Sequence, residues 1–154
     1  IRDNLQMGLP GKTGDFDLFV DDDGTAYHIR HTNNFHFAVE QLDESHTKPS
    51  KFHSSTATPQ EFPEMESPSL FKRNGRYYAM FGTGCCACRG GSSTVVYIAE
   101  KPLGPYVQQK SVLGNQPNHK FDIHSPNNFI TKSQQSAVFR YPPHDGGVFV
   151  WLGN

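Results

Sequence analysis

Asp15, Glu66 and Gln135 recur at nearly the same place in a repeated pattern. Asp15 lies four residues before Phe19, Glu66 five before Phe71, and Gln135 four before Phe139. Two carboxyl groups facing one cavity are what glycosidic cleavage needs, because one must donate a proton to the leaving oxygen. An ionised Asp15 beside Glu66 favours protonated Glu66 through like-charge repulsion, which suits Glu66 to the acid role. Without the repeat register, Glu66 reads as a surface acid near Glu61 and Glu64. Gln135 takes up no proton at ordinary pH. Its amide either orients a water or a sugar hydroxyl, or satisfies backbone groups in a core. Asp17 shares a strand face with Asp15 and is a second wall residue or a partner for the backbone, the latter being favoured.

The elements that must position these groups are three copies of one motif: an apolar strand, a polar Gly-containing turn and an aromatic return strand. They run Asp15–Tyr27, Ser69–Phe81 and, more loosely, Ser136–Trp151. Their anchors Phe19, Phe71 and Phe139 are 52 and then 68 residues apart. Radially repeated sheets leave such a signature, with roughly 40 to 50 residues per four-stranded propeller blade plus insertions. The first strand of each blade lines the central channel, so residues near its mouth converge on one pocket. Successive blades are expected at 15–60, 65–110 and 125–154 of a single domain. A closed propeller needs at least about four blades. The chain, which starts at Ile1 and stops after a strand-like Val148–Leu152, therefore reads as an internal piece of a longer protein. A complete small β-sandwich is the alternative.

Composition agrees with an all-β class. The hydrophobic fraction is 35 % and the mean hydropathy −0.61, yet 12 Phe and 6 Tyr supply apolar area to bury. With 14 Gly and 11 Pro and no long helical periodicity, short strands joined by turns are expected. A net charge of −1 gives no electrostatic support for a nucleic-acid or anionic-membrane partner. No apolar run approaches the roughly 20 residues of a membrane span, so a soluble protein is expected.

Strands are expected at 15–20, 25–31 and 35–42, where Phe35, Phe37 and Val39 alternate with His36, Ala38 and Glu40 as on a strand with one buried face. Residues 43–63 read as a polar excursion and 107–124 as a polar connection. Asn74-Gly75 marks a two-residue hairpin turn. A strand is expected next at 94–99, and the third unit takes in 127–130, 135–141 and 148–152.

Cys85, Cys86 and Cys88 crowd into four residues. An odd count leaves at least one thiol free or paired outside the chain. A disulfide, as in a secreted protein, is favoured over free thiols, and over a metal site, whose paired Cys-x-x-Cys spacing is missing. No Asn-x-Ser/Thr sequon occurs. Asp21-Asp22-Asp23-Gly24 lacks the alternate-ligand spacing of a calcium loop and reads as a β-turn. His124, before a presumed inner strand, is a candidate pocket residue or ligand of a central ion. Trp151 and the Tyr77-Tyr78 pair are stacking surfaces for sugar rings or core residues.

The stretches Gly14–Tyr27, Glu66–Tyr78, Gly84–Cys88, Pro102–Tyr106 and Ser133–Ser136 resemble glycoside hydrolase family 43, in particular its branch related to exo-β-1,3-galactanases. The resemblance implies a five-bladed β-propeller, of which this chain supplies about three blades. It further implies inverting hydrolysis, with Glu66 as general acid, Asp15 as the acid that tunes it and holds substrate, and Gln135 facing the water site. The family's usual base, an Asp on the first blade, would precede Ile1. The protein implied by this resemblance is a secreted hydrolase of β-galactan or arabinogalactan-like polysaccharide. It requires no cofactor, admits a structural calcium ion in the central channel, and has the missing blades or other chains as further partners. A propeller that binds carbohydrate or assembles with other proteins without turnover is the second reading.

Overall fold

A computed structural model describes residues 14–32, 36–57, 65–83, 93–109, 135–143 and 146–153. Ten strands run through them: β1 (Phe16–Val20), β2 (Ala26–Thr32), β3 (His36–Leu42), β4 (Pro49–Ala57), β5 (Met65–Arg73), β6 (Arg76–Thr83), β7 (Ser93–Ala99), β8 (Val107–Gln108), β9 (Gln135–Tyr141) and β10 (Val148–Gly153). All pairings are antiparallel between chain neighbours, giving the sheets β1-β2-β3-β4, β5-β6-β7-β8 and β9-β10. Strand β5 packs against β1 on one side and β9 on the other, so the first strands of the three sheets lie side by side. This is the arrangement of blades in a β-propeller.

Turn chemistry sets the hairpins. Asn74 and Gly75 adopt φ of 50° and 73°, the pair of positive values that lets a two-residue turn follow the strand twist. In the first blade the Asp21 carbonyl accepts the Gly24 N–H at 2.9 Å, while Asp21 and Asp23 carboxylates take the N–H groups of Asp22 and Thr25. The Asp run is thus a turn, and its remaining charge is spent on the next blade. Lys72 Nζ donates to Asp21 Oδ1 at 2.7 Å and to Asp22 Oδ2 at 2.8 Å, and the Tyr77 hydroxyl donates to Asp21 Oδ2.

The main core lies between the first two sheets. Tyr27, Ile29, Phe37 and Val39 meet Leu70, Tyr77, Ala79, Phe81, Val95, Tyr97 and Ala99. Phe37 is at its centre, with ring centroids 4.9 Å from Phe81, 5.0 Å from Tyr97 and 5.4 Å from Tyr106. The anchoring aromatics of the repeat point forward: Phe19 meets Tyr77 of the second sheet edge-on, and Phe71 meets Phe149 of the third.

Three expectations change here. Residues 49–57, expected within a polar excursion, form β4, and Val107–Gln108, expected within a polar connection, form β8. Outermost blade strands are held by ladder hydrogen bonds and bury little, so they need no apolar alternation and leave no such signal. Strand β3 is also not one-sided. Phe37 and Val39 are buried, but so are Ala38 and Glu40 on the opposite face. Glu40 is there because Arg30, equally buried, donates Nε–H to Glu40 Oε2 at 3.2 Å. Paired charge fills the face where solvent was expected. The expected strand at 127–130 and the start of β3 at Phe35 lie outside the described residues.

Candidate active site at the mouth of the inner strands

Asp15, Glu66 and Gln135 sit at corresponding ends of the three inner strands. Asp15 immediately precedes β1, Glu66 is the second residue of β5, and Gln135 is the first of β9. The one-residue discrepancy in their spacing has a structural cause. Glu66 pairs with Gly82 and Ser69 with Met80, so Ser67 and Pro68 together face the single residue Phe81. This is a β-bulge, and Ser67 adopts φ of 48° within it. Phe71 pairs with Tyr78, so Gly82 stands four positions along β6 from the anchor. In the first blade Phe16 pairs with Arg30, three positions from Tyr27, and Asp15 is the next residue out. The bulge therefore brings Glu66 level with Asp15. Strand β9 is irregular at Ser136, and Gln135 pairs with Gly153, three positions from the Val150 partner of Phe139. Gln135 is one ladder step nearer its anchor than the two acids.

The carboxylate of Asp15 reaches across the blade joint. Its Oδ2 accepts the Ser67 N–H at 2.9 Å, with the Ser67 hydroxyl at 3.5 Å. Asp15 is exposed, whereas Glu66 is half-buried. A shallow hollow of about 290 Å³ is lined by Gly14, Asp15, Phe16, Ser67, Pro68 and Ser136. Sequence reasoning missed Ser67 and Ser136. The signal was present, since a serine follows both Glu66 and Gln135, but a bulge is needed to turn that neighbour toward Asp15.

Gln135 is completely buried, and neither its Oε1 nor its Nε2 has a hydrogen-bond partner among the described residues. Asp17 lies one strand turn inward from Asp15. Its Oδ2 accepts the Leu70 N–H at 3.0 Å and the Ser69 hydroxyl at 3.1 Å, so its carboxylate is engaged by the blade joint. Burial pushes the Asp17 carboxyl above its ordinary range, and the hydrogen bonds from Leu70, Leu18 and Ser69 oppose that shift. His124, Cys85, Cys86 and Cys88 lie outside the described residues. Among the described residues, no three His, Cys, Asp or Glu side chains are grouped to hold a metal ion. No helix among them is long and apolar enough to cross a membrane.

Of the other candidate sugar-stacking residues, Tyr77 is buried in the core, and Tyr78 stacks on Phe71 with centroids 5.1 Å apart. Trp151 is half-buried, with its indole Nε1 unpartnered among the described residues.

Three sheets side by side at polar inner-strand ends, with Asp15 and Glu66 level across one joint, make this chain part of a β-propeller. The chain matches the model of glycosyl hydrolases family 43 over residues 3–152 and belongs to that family. Its fold is similar to that of a family-43 β-1,3-galactosidase, with TM-score 0.68, 21 % identity, and 92 % of this chain and 27 % of that chain covered. It is also similar to an exo-β-1,3-galactanase from Phanerochaete chrysosporium in a structure with galactose, with TM-score 0.64, 21 % identity, and coverage of 92 % and 29 %. An exo-β-1,3-galactanase from Clostridium thermocellum gives TM-score 0.66, 19 % identity, and coverage of 92 % and 27 %. The chain thus spans less than a third of the length of these three structures. No curated protein sequence matches the chain significantly.

Proposed function

We propose that this chain is part of a secreted glycoside hydrolase that cleaves β-galactan or arabinogalactan-like polysaccharide with inversion. Glu66 is the general acid that protonates the leaving oxygen. Asp15 is the carboxylate that tunes it and binds a sugar hydroxyl, and Gln135 orients the attacking water or a hydroxyl through its amide. The observation carrying the reading is that Asp15, which lines the hollow with Ser67 and Ser136, is bonded to the residue directly after Glu66 and stands on the ladder level of Glu66, although Glu66 and Gln135 themselves are not among the lining residues. The exo-β-1,3-galactanase from Phanerochaete chrysosporium, described with galactose and, as a variant, with β-1,3-galactotriose, supports galactan as the substrate class.

Inversion requires a second carboxylate that activates water, about 6.5 to 9.5 Å from the acid. Gln135 cannot play that part because an amide accepts no proton, so the base is assigned to a blade outside this chain. The chemistry needs no cofactor. The test is sugar release from β-1,3-galactan by the full-length protein and by its Glu66→Gln variant. Loss of the acid is expected to lower kcat about 10² to 10⁴-fold. Equal release by both proteins removes Glu66 from the acid role. Retention of galactan without product marks a carbohydrate-binding propeller instead.

A further inference from the structure

We propose that Ser67 is a positioning residue for the acid pair. Its backbone N–H clamps the Asp15 carboxylate, and the left-handed bulge is what aims that N–H across the blade joint. The inference rests on the assignment of Glu66 and Asp15 proposed above and adds the residue that fixes their relation.

The N–H that Asp15 Oδ2 accepts at 2.9 Å belongs to the peptide unit linking Glu66 to Ser67. Asp15 therefore grips the backbone of the acid itself, and the separation of the two carboxyl-bearing residues is set by one charge-assisted hydrogen bond and one peptide. Ser67 achieves this at φ of 48°, a region that Gly, Asn and Asp enter far more readily than serine. Two neighbours sustain the conformation. Buried Pro68 comes next in the chain, which disfavours right-handed helical geometry for Ser67, and proline brings no N–H to a bulge position. One strand turn inward, the Leu70 N–H bond to Asp17 at 3.0 Å holds β5 against β1.

Oδ2 of Asp15 takes the Ser67 N–H, and in the proposed reaction Oδ1 faces a substrate hydroxyl. The Ser67 hydroxyl, at 3.5 Å from Oδ2, is too distant to be the main clamp, which is why the role is assigned to the N–H.

The test separates backbone from side chain. Ser67→Gly keeps the N–H and takes positive φ without cost. Ser67→Val keeps the N–H but resists positive φ, so it turns the bond away. In the full-length protein, Ser67→Gly is expected to retain kcat/KM within about twofold of the parent, and Ser67→Val to lose about tenfold to a hundredfold, as misplacement of a catalytic group does. In an Asp15→Ala background, Ser67→Val is expected to cost less than about threefold, because the group that accepts the Ser67 N–H is already gone. A full multiplicative loss there, or an equal loss from glycine, overturns the proposal.

A readout independent of turnover is the Ser67 amide in ¹⁵N-labelled protein. Its resonance is expected to shift on Asp15→Asn. An amide indifferent to Asp15→Asn overturns the clamp whatever the activity. A responding amide in a protein that releases no sugar sustains the clamp and defeats the hydrolase reading. Thermal melting of each variant identifies any that has lost its fold, in which case the amide response of the parent and of Asp15→Asn decides.

Discussion

Ser69 accepts the N–H of Val138 on its hydroxyl oxygen at 3.0 Å. Asp17 stands in the same relation to Leu70 one blade earlier, also at 3.0 Å. Asp17 and Ser69 occupy the same position before their anchoring phenylalanines, and Leu70 and Val138 are likewise equivalent. Because Ser69 also donates its hydroxyl to Asp17 at 3.1 Å, a continuous relay joins three sheets. The joint repeats although the residue making it does not.

Removing the middle of that relay is expected to loosen both joints. Ser69→Ala should cost about 2 kcal/mol, the scale of two hydrogen bonds with one ionised partner and a buried N–H left unmet. Asp17→Ala, which strands the Leu70 N–H and the Ser69 hydroxyl, should cost at least as much. Urea denaturation with an unchanged slope measures both. If Asp17→Ala instead raised KM for galactan at unaltered stability, Asp17 would be a substrate residue.

Gln135 should show the reverse balance. Its buried amide lacks partners among the described residues, so Gln135→Met, similar in volume, is expected to leave stability equal or improve it by about 1 kcal/mol. In the proposed hydrolysis of β-1,3-galactan, turnover should fall about tenfold or more through loss of an oriented water or hydroxyl. A destabilised variant with normal turnover would place Gln135 in the scaffold alone.

The Asp21–Lys72 link predicts acid sensitivity. Burial raises the Asp21 carboxyl, but hydrogen bonds from Lys72, Tyr77 and the Asp22 N–H outweigh it, and the net shift is downward from 3.8. A carboxylate depressed in the folded state contributes stability above its unfolded value and loses it as pH falls through the folded one. The contribution should therefore be full at pH 7 and decline below about pH 4. The gap in urea midpoint between the parent protein and Lys72→Met is expected to shrink between pH 7 and pH 3. A constant gap would show that the ion pair contributes nothing.

Phe37 tests the inter-sheet core. It is fully buried against Phe81, Tyr97 and Tyr106, and Phe37→Ala should cost about 3 to 5 kcal/mol in chemical denaturation. A smaller loss, with kcat unaffected, would mean that the sheets repack over the vacated volume.

Local patterns in the chain were enough to reveal the blades. Alternating aromatics, Gly-containing turns and the recurrence of one motif around Phe19, Phe71 and Phe139 all reflect contacts a few residues apart, which composition and spacing record directly. The inner strands β1, β5 and β9 and the Asn74-Gly75 turn were legible for that reason. So was the placing of Asp15 and Glu66 at the ends of neighbouring inner strands, whereas Gln135 stands one ladder step nearer its anchor.

Tertiary structure decided what depends on contacts across some 50 residues. It made polar residues 49–57 an outer strand, because ladder hydrogen bonds ask nothing of side-chain polarity. It buried Glu40, because Arg30 was there to pair with it. It also turned an apparent register error at Glu66 into a bulge that presents the Ser67 N–H to Asp15. A sequence records which groups can donate and accept; only packing one sheet against the next determines which donor reaches which acceptor.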